Sequence, residues 1–352
     1  MNFMKAQMET LTKTNATAAM TKTHYGLSAV TWKQIGIAAL IIFAVALPFL
    51  LTNYRTFQLT LVLVYAVVLV GINILTGFNG QISLGHGAFY AVGAYTAAIL
   101  MSQFDVPYWV TVPIAGTICL LMGFLFGLPA TRLEGLYLAL ATFALGVATP
   151  QILKYKGIEE WTGGVQGIVI IKPDAPFGLP LNSDQWLYFF VLFVAAVMFV
   201  IAWNILRGRI GRAIVAIRDQ PIAAQAMGIN TALYKSLTFG ISAMFTGVAG
   251  ALGGIAIQFV APDSFAFYIT SIPFLFAAVI GGIFSLSGAV YGAMFLLFVP
   301  NIAEQISKAA AGAVFGVFLI AFMFVMPAGI AGFIRYAWAW VQRRTGASPA
   351  DS

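Results

Sequence analysis

The sequence predicts an all-α integral membrane protein of about ten transmembrane helices. Three features predict it: a composition poor in charge, long charge-free apolar runs, and a one-sided distribution of Lys and Arg. Of 352 residues, 61% are hydrophobic and 8% charged, against roughly 25% charged in ordinary soluble domains. Thirty-five glycines and thirty phenylalanines suit helices packed in lipid, where small residues let backbones approach and bulky ones face acyl chains.

The spans follow from the positions of the charges, because a charge in mid-bilayer is expensive and marks a boundary. Eight charge-free runs result: 34–54, 56–104, 106–131, 135–153, 185–206, 236–262, 264–303 and 309–334. A crossing helix takes about 20 residues, so 56–104 and 264–303 each hold two and the other six hold one. The first run follows 33 mostly polar residues, longer than the leading segment of a secretion signal, so 34–54 reads as a retained helix.

Short cytoplasmic loops retain positive charge. With the N-terminus inside, thirteen of the eighteen basic residues fall on the inner side, including Lys33, Arg132, Arg207, Arg209, Arg212, Arg218, Lys235, Arg335, Arg343 and Arg344. Seven of the eleven acids fall outside, among them Asp105, Asp174, Asp184, Asp263 and Glu304. Both termini are therefore expected in the cytoplasm. An even span count places spans one to five and six to ten on opposite starting sides, which is the geometry of an inverted repeat of two five-helix halves. The domain reading is a mobile cytoplasmic tail at 1–33, a transmembrane domain at 34–334 and a basic cytoplasmic tail at 335–352. The long connections are an external loop at 154–185 and a cytoplasmic loop at 207–235.

Several functions are excluded or disfavoured. The net charge of +7 is spread along loop edges, with no basic domain to hold a duplex, so no nucleic-acid partner is expected. Cys119 is the single cysteine and sits in an apolar run; it reads as packing, and no metal-ligand cluster or cofactor is expected. No Gly-x-x-x-x-Gly-Lys-Ser/Thr loop occurs, so ATP hydrolysis would belong to another polypeptide. No carboxylate lies in any assigned span, against a proton- or sodium-coupled carrier. Paired acids and an oriented nucleophile are likewise missing from the spans, so the chain does not read as an enzyme.

Two segments carry more polarity than packing needs. Between Thr76 and Tyr95, Gly77, Gly80, Gly85 and Gly87 alternate with Asn79, Gln81, Ser83 and His86. A lipid-facing helix has no use for these residues. A break at membrane depth is tolerated where it is buried in protein or lines a wet cavity, making Asn79, Gln81, Ser83 and His86 translocation-pathway candidates. The competing reading is an interfacial loop whose polar groups cap the next helix. In the loop 207–235, Ile222, Ala223, Ala226 and Met227 recur at helical spacing, Pro221 suits a first helical position and Gly228 a stop. That short amphipathic helix could lie on the membrane surface or dock into a partner's groove. Small-x-x-x-small pairs at Gly123/Gly127, Gly250/Gly254, Gly288/Gly292 and Gly312/Gly316 are expected to pack helices within the chain.

Several blocks carry a family resemblance. They are Gly80-Gln81-Ile82-Ser83-Leu84-Gly85-His86 with Gly93-Ala94-Tyr95-Thr96, then Leu136-Tyr137-Leu138-Ala139, and Thr162-Gly163-Gly164-Val165-Gln166-Gly167. The 209–230 loop follows, then Gly281-Gly282 with Gly288 and Gly292, and the closing Pro327-Ala328-Gly329. In this order the chain resembles the permease subunits of branched-chain amino acid ABC importers. The resemblance implies a ten-helix permease in a bacterial inner membrane, moving branched-chain or other apolar amino acids. The implied partners are a second homologous permease, two ATPase subunits and an extracytoplasmic substrate-binding protein. It also makes Ala223-Ala224-Gln225-Ala226-Met227-Gly228 the coupling helix to the ATPase. The Glu that often precedes the alanine pair is absent, so contact would rest on Ile222, Ala226 and Met227, with Arg212 and Arg218 assisting. Alternatives are a permease for urea or short amides and a stand-alone channel for small neutral solutes.

Overall fold

The computed structural model describes residues 42–133, 135–176, 180–306, 311–326 and 328–344. The expected tail 1–33 lies outside the described residues, as do 345–352, Glu134, Lys308 and Pro327. The chain divides into two compact units, Asn53–Trp338 and a smaller one made of Met1–Thr52 with Ala339–Ser352. In the smaller unit the described residues are helix α1 (42–50), with Ile42, Phe43, Phe49 and Leu50 exposed, and the end of the last helix.

The larger unit begins with α2 (Asn53–Ile72), which runs into a π-helical turn at Asn73–Phe78, followed by α3 (His86–Phe104), α4 (Tyr108–Ala130) and α5 (Leu136–Leu153). A short α6 (Glu159–Thr162) and strand β1 (Ile168–Val169) lead to α7 (Ser183–Arg207), α8 (Arg209–Asp219), α9 (Pro221–Ala226) and α10 (Thr231–Ile257). Strand β2 (Phe259–Val260), α11 (Ser271–Gly281), α12 (Leu286–Ile306), α13 (Ala311–Val325) and the part of α14 (Gly329–Arg344) up to Trp338 complete it. Among the described residues six helices are long and apolar enough to cross a membrane: α2 with its π turn, α4, α5, α7, α10 and α12. The protein is an all-α, multi-pass membrane protein. Each charge-free run that reaches the described residues contains the body of one helix, and the two longest contain two, α2 with α3 and α11 with α12.

The centre and the periphery of the unit differ in residue size more than in polarity. Helix α10 buries nineteen of its 27 residues, seven of them Gly or Ala from Gly247 to Ala256. Helix α7, rich in Phe and Val, buries six of 25: Leu187, Tyr188, Val191, Ala195, Met198 and Ala202, a single stripe at steps of three and four. Lipid is as apolar as a protein core, so hydrophobicity does not decide which helix goes inside; close packing of small residues does. Against α3, a Cβ on Gly93 would stand 2.1 Å from Gly247 O, and one on Gly250 2.1 Å from Tyr90 O. Against α4, a Cβ on Gly123 would meet that of Ala243 at 2.4 Å, while Gly247 receives Cys119. Cys119 is fully buried and its Sγ lies 3.5 Å from Phe89 O, a packing role as expected. Gly288 and Gly292 pack on α11 in the same manner, whereas Gly312 and Gly316 meet nothing within 4 Å of a built Cβ.

Two ends are capped by sequence-local groups. Asn182 and Gln185 form a capping box on α7, and Asn230 Oδ1 accepts from Leu233 N–H at 3.1 Å to start α10. The stretch expected as an external loop at 154–185 carries its own structure. Ile168 pairs with Val260 and Val169 with Phe259 in a two-strand antiparallel ladder. Gly163, Gly164 and Gly167 all have positive φ, and a Cβ at Gly167 would strike Val260 O at 2.4 Å. Thr162 ties the turn by donating to Leu153 O at 2.8 Å and accepting from Gly164 N–H at 3.2 Å. Ion pairs Lys154–Asp263 and Lys172–Asp184 join the loop to its neighbours.

Candidate functional site

The polar break between α2 and α3 is a built element. Asn73 Nδ2 donates to Ser285 O at 3.0 Å in the α11–α12 link, and a Cβ on Gly77 would stand 2.0 Å from Ile283 O. The widened π turn sits where α2 approaches that link. Gln81 N–H closes the turn on Leu75 O at 3.1 Å, and Gly80 reverses the chain at φ +73°, a conformation that favours glycine. A residue with a side chain there would also meet Arg218 Cγ at 2.8 Å.

The four pathway candidates are all buried and divide into two pairs. Ser83 and His86 hold the start of α3. Ser83 Oγ accepts from Gly85 N–H, and His86 Nε2 lies 2.8 Å from Ser242 Oγ on α10. Ser242 gives its one hydroxyl proton to Gly71 O at 2.7 Å, so Nε2 carries hydrogen and donates to Ser242. Helix α3 has Gly85 at its N-cap, which offers no side-chain cap; Ser271 Oγ of α11 takes Gly87 N–H at 3.1 Å, and Thr142 Oγ1 of α5 takes Leu84 N–H at 2.9 Å just before the helix. Asn79 and Gln81 instead line a recess of about 190 Å³ with Gly80, Ile217, Arg218 and Lys235. Gln81 Nε2 donates to Lys235 O at 3.2 Å, while both amide atoms of Asn79 are buried without a partner. A buried unpartnered amide is expensive for the fold.

Arg218, at the end of α8, joins this recess to the cytoplasmic loop. Its Nη1 donates to Gly77 O at 3.2 Å, its Nε to Asp219 Oδ1 at 2.8 Å, and its guanidinium lies 5.4 Å from the Phe284 ring centre. The π turn thus meets the α11–α12 link through Asn73 with Ser285 and Gly77 with Ile283, and Arg218 touches both sides of that meeting, at Gly77 O and at the Phe284 ring. Composition gave no sign of this meeting, since Phe284 and Ser285 lie more than 200 residues from Asn73 and look like ordinary loop residues.

The helix read from Pro221 is present as α9, and the stretch before it forms a second helix, α8. Pro221 separates them: it restricts the preceding residue, and Gln220 is extended at φ −150°, ψ 88°. Helix α8 buries Gly211, Ala213, Ile214 and Ile217 and turns Arg212 outward, where its Nη1 donates to Arg207 O at 3.2 Å. In α9 the alanine pair is divided, Ala224 buried and Ala223 exposed with Ala226. Ile222 and Met227 are 82% and 83% exposed. Gly228 ends the helix at φ +83°. The outward apolar face is therefore Ile222, Ala223, Ala226 and Met227, without Ala224.

A family profile described as branched-chain amino acid transport system, permease component, matches residues 54–326. The chain belongs to this family of permeases. Its curated relatives include the high-affinity branched-chain amino acid transport system permease protein LivM of Escherichia coli strain K12, 32% identical over 75% of this chain and 67% of that one. LivH of the same strain is 26% identical over 76% of this chain and 91% of LivH, and BraD of Pseudomonas aeruginosa 28% over 76% and 91%. A solved structure, PsaBC from Streptococcus pneumoniae in complex with Fab, aligns at a TM-score of 0.39 and 14% identity over 82% of this chain and 94% of that one, too far for any argument. The matched stretch begins in α2 and ends just after α13, so it contains the polar break, Arg218 and the α8–α9 pair of this permease.

Proposed function

We propose that this permease is the membrane subunit of an ATP-binding-cassette importer in a bacterial inner membrane, moving branched-chain or other apolar amino acids handed over by an extracytoplasmic binding protein. The observation that carries it is an exposed apolar face on α9, Ile222 and Met227, on an element that α8 links through Arg218 to the polar break. A membrane subunit without a phosphate loop needs such a handle, and two ATPase subunits would grip it. A second, homologous permease completes the bundle; relatives named LivM and LivH in one organism support such a pair.

The topology that goes with this role has ten spans, α1 to α5 and then α7 and α10 to α13, in two five-helix halves of inverted orientation, with both termini in the cytoplasm. ATP-driven closure of the ATPases displaces α9, α8 follows, and Arg218 pulls on Gly77 O. The break between α2 and α3 then moves relative to α11–α12. Asn79 and Gln81 line the inner mouth of the path, and Ser83 with His86 hold the hinge on which it turns.

The test is a reconstituted complex of this chain, the second permease, both ATPases and the loaded binding protein. Ile222→Asp combined with Met227→Asp is expected to lower ATPase co-purification and leucine-stimulated hydrolysis by tenfold or more, since it sets charges into an apolar contact. Hydrolysis at the parent's level in that variant, or leucine flux through this chain alone, rejects the reading.

A further inference from the structure

Tyr90 is held in a way that packing alone does not explain. It lies in α3 at 4% exposure, and its hydroxyl is buried with no hydrogen-bond partner, a destabilising state. Helix α10 is shaped to keep the phenol there. A Cβ on Gly253 would stand 2.0 Å from the Tyr90 hydroxyl, so only glycine leaves room for it. Phe265 and Phe274 enclose the ring, with centroids 5.9 and 5.4 Å away, the latter edge-on.

Tyr90 borders a cavity of about 560 Å³ among α2, α3, α10, α11, α12 and α13, within the roughly 300–1,000 Å³ of small-molecule sites. Tyr65, Phe274, Leu297 and Phe315 supply apolar wall, and the Tyr65 and Phe274 rings stand 5.8 Å apart. Asn301 and Glu304 of α12 add polar groups, and Phe259 of β2 marks the end of the bundle toward which the cavity lies. All of this lies apart from the recess beside Arg218.

We propose that this cavity is a solute-holding chamber for a small amphipathic zwitterion, an amino acid with an apolar side chain. Tyr90 stands in its wall, its hydroxyl seated against Gly253 and freed to bond the solute by a turn of the ring; the rings on α2 and α11 are its apolar wall, and Glu304 receives the ammonium. The inference rests on the transport reading and adds to it where the solute stands during passage. A lipid acyl chain is the rival occupant, but it leaves the Tyr90 hydroxyl unbonded and has no use for Asn301 or Glu304.

The test measures ATP-driven uptake of radiolabelled leucine by the reconstituted complex, with hydrolysis stimulated by loaded binding protein measured alongside. Tyr90→Phe keeps the ring and removes the hydroxyl; a loss of about fivefold in uptake is expected, the worth of one hydrogen bond. Leu297→Trp fills the chamber and is expected to lower uptake by about tenfold or more, with stimulated hydrolysis kept within about twofold of the parent in both variants. Parental uptake in both variants, each eluting as an intact complex, overturns the chamber and is the result an acyl chain would give. A parent complex that never moves leucine refutes the transport reading instead. The chamber is then judged by photo-crosslinking the parent with a diazirine analogue of leucine. Label on α11–α13 peptides that excess leucine competes away upholds it, and absence of competed label overturns it.

Discussion

Single residues set the close approaches in this permease, and their substitution tests the packing most cleanly. Gly93 faces Gly247 O at 2.1 Å from a built Cβ, and backbone cannot step aside as a flexible side chain can. Gly93→Ala is expected to lower stability by about 1–3 kcal/mol, read as the unfolding midpoint in detergent. Gly316→Ala, with nothing within 4 Å, should change it by less than about 1 kcal/mol and in the favourable direction, because alanine is the better helix former. Equal losses at both positions would mean that the glycines are not packing residues. Ser242 gives a second residue-scale prediction. It accepts from His86 Nε2 and donates to Gly71 O, so Ser242→Ala strands a buried ring N–H at a cost of about 1–3 kcal/mol. Ser242→Thr, which keeps the hydroxyl, should recover part of that loss.

At the scale of elements, the pair α8–α9 and the broken α2–α3 helix act on each other through one side chain. Arg218→Met keeps the stem that packs on Gly80 and removes the guanidinium that bonds Gly77 O. The expected outcome in proteoliposomes is uptake lowered about tenfold while ATP hydrolysis persists, because the handle still docks but no longer grips the break. Uptake and hydrolysis falling in proportion would place Arg218 in docking rather than in transmission. Arg212 makes the contrast: it points outward and donates to Arg207 O of its own loop, so Arg212→Met should leave transmission intact.

For the whole molecule the prediction is topological. Cys119 is fully buried, so the parent should react little with a membrane-impermeant maleimide, and single cysteines can be added to it directly. Met227→Cys, on the exposed end of α9, is expected to label only from the cytoplasmic side. Ile171→Cys, 87% exposed in the loop beyond β1, should label only from outside. Labelling of both from one face would remove the ten-span arrangement and the inverted repeat with it.

Much of this was legible in the sequence because the bilayer imposes a one-dimensional rule. Charges mark where the chain leaves the hydrocarbon, and each charge-free run that reaches the described residues holds a helix body; the Pro221 and Gly228 signals placed α9, whereas α8 and most of α14 carry charge and were not placed this way. The glycines and polar groups of 77–87 announced a break. The sequence did not reveal what the break is for, because buried and lipid-facing positions are equally apolar and no periodicity separates α10 from α7. Which of Asn79, Gln81, Ser83 and His86 lies at the start of α3 or in the recess, that Ala224 faces inward, that Ser285 bonds Asn73 and that Phe284 lies by Arg218 were decided by packing between segments far apart in the chain. So was the space beside Tyr90, left where glycines on α10 let two helices close without filling it. Hydrophobicity fixes how deep each segment lies; only side-chain volume and hydrogen-bond geometry fix which segments touch.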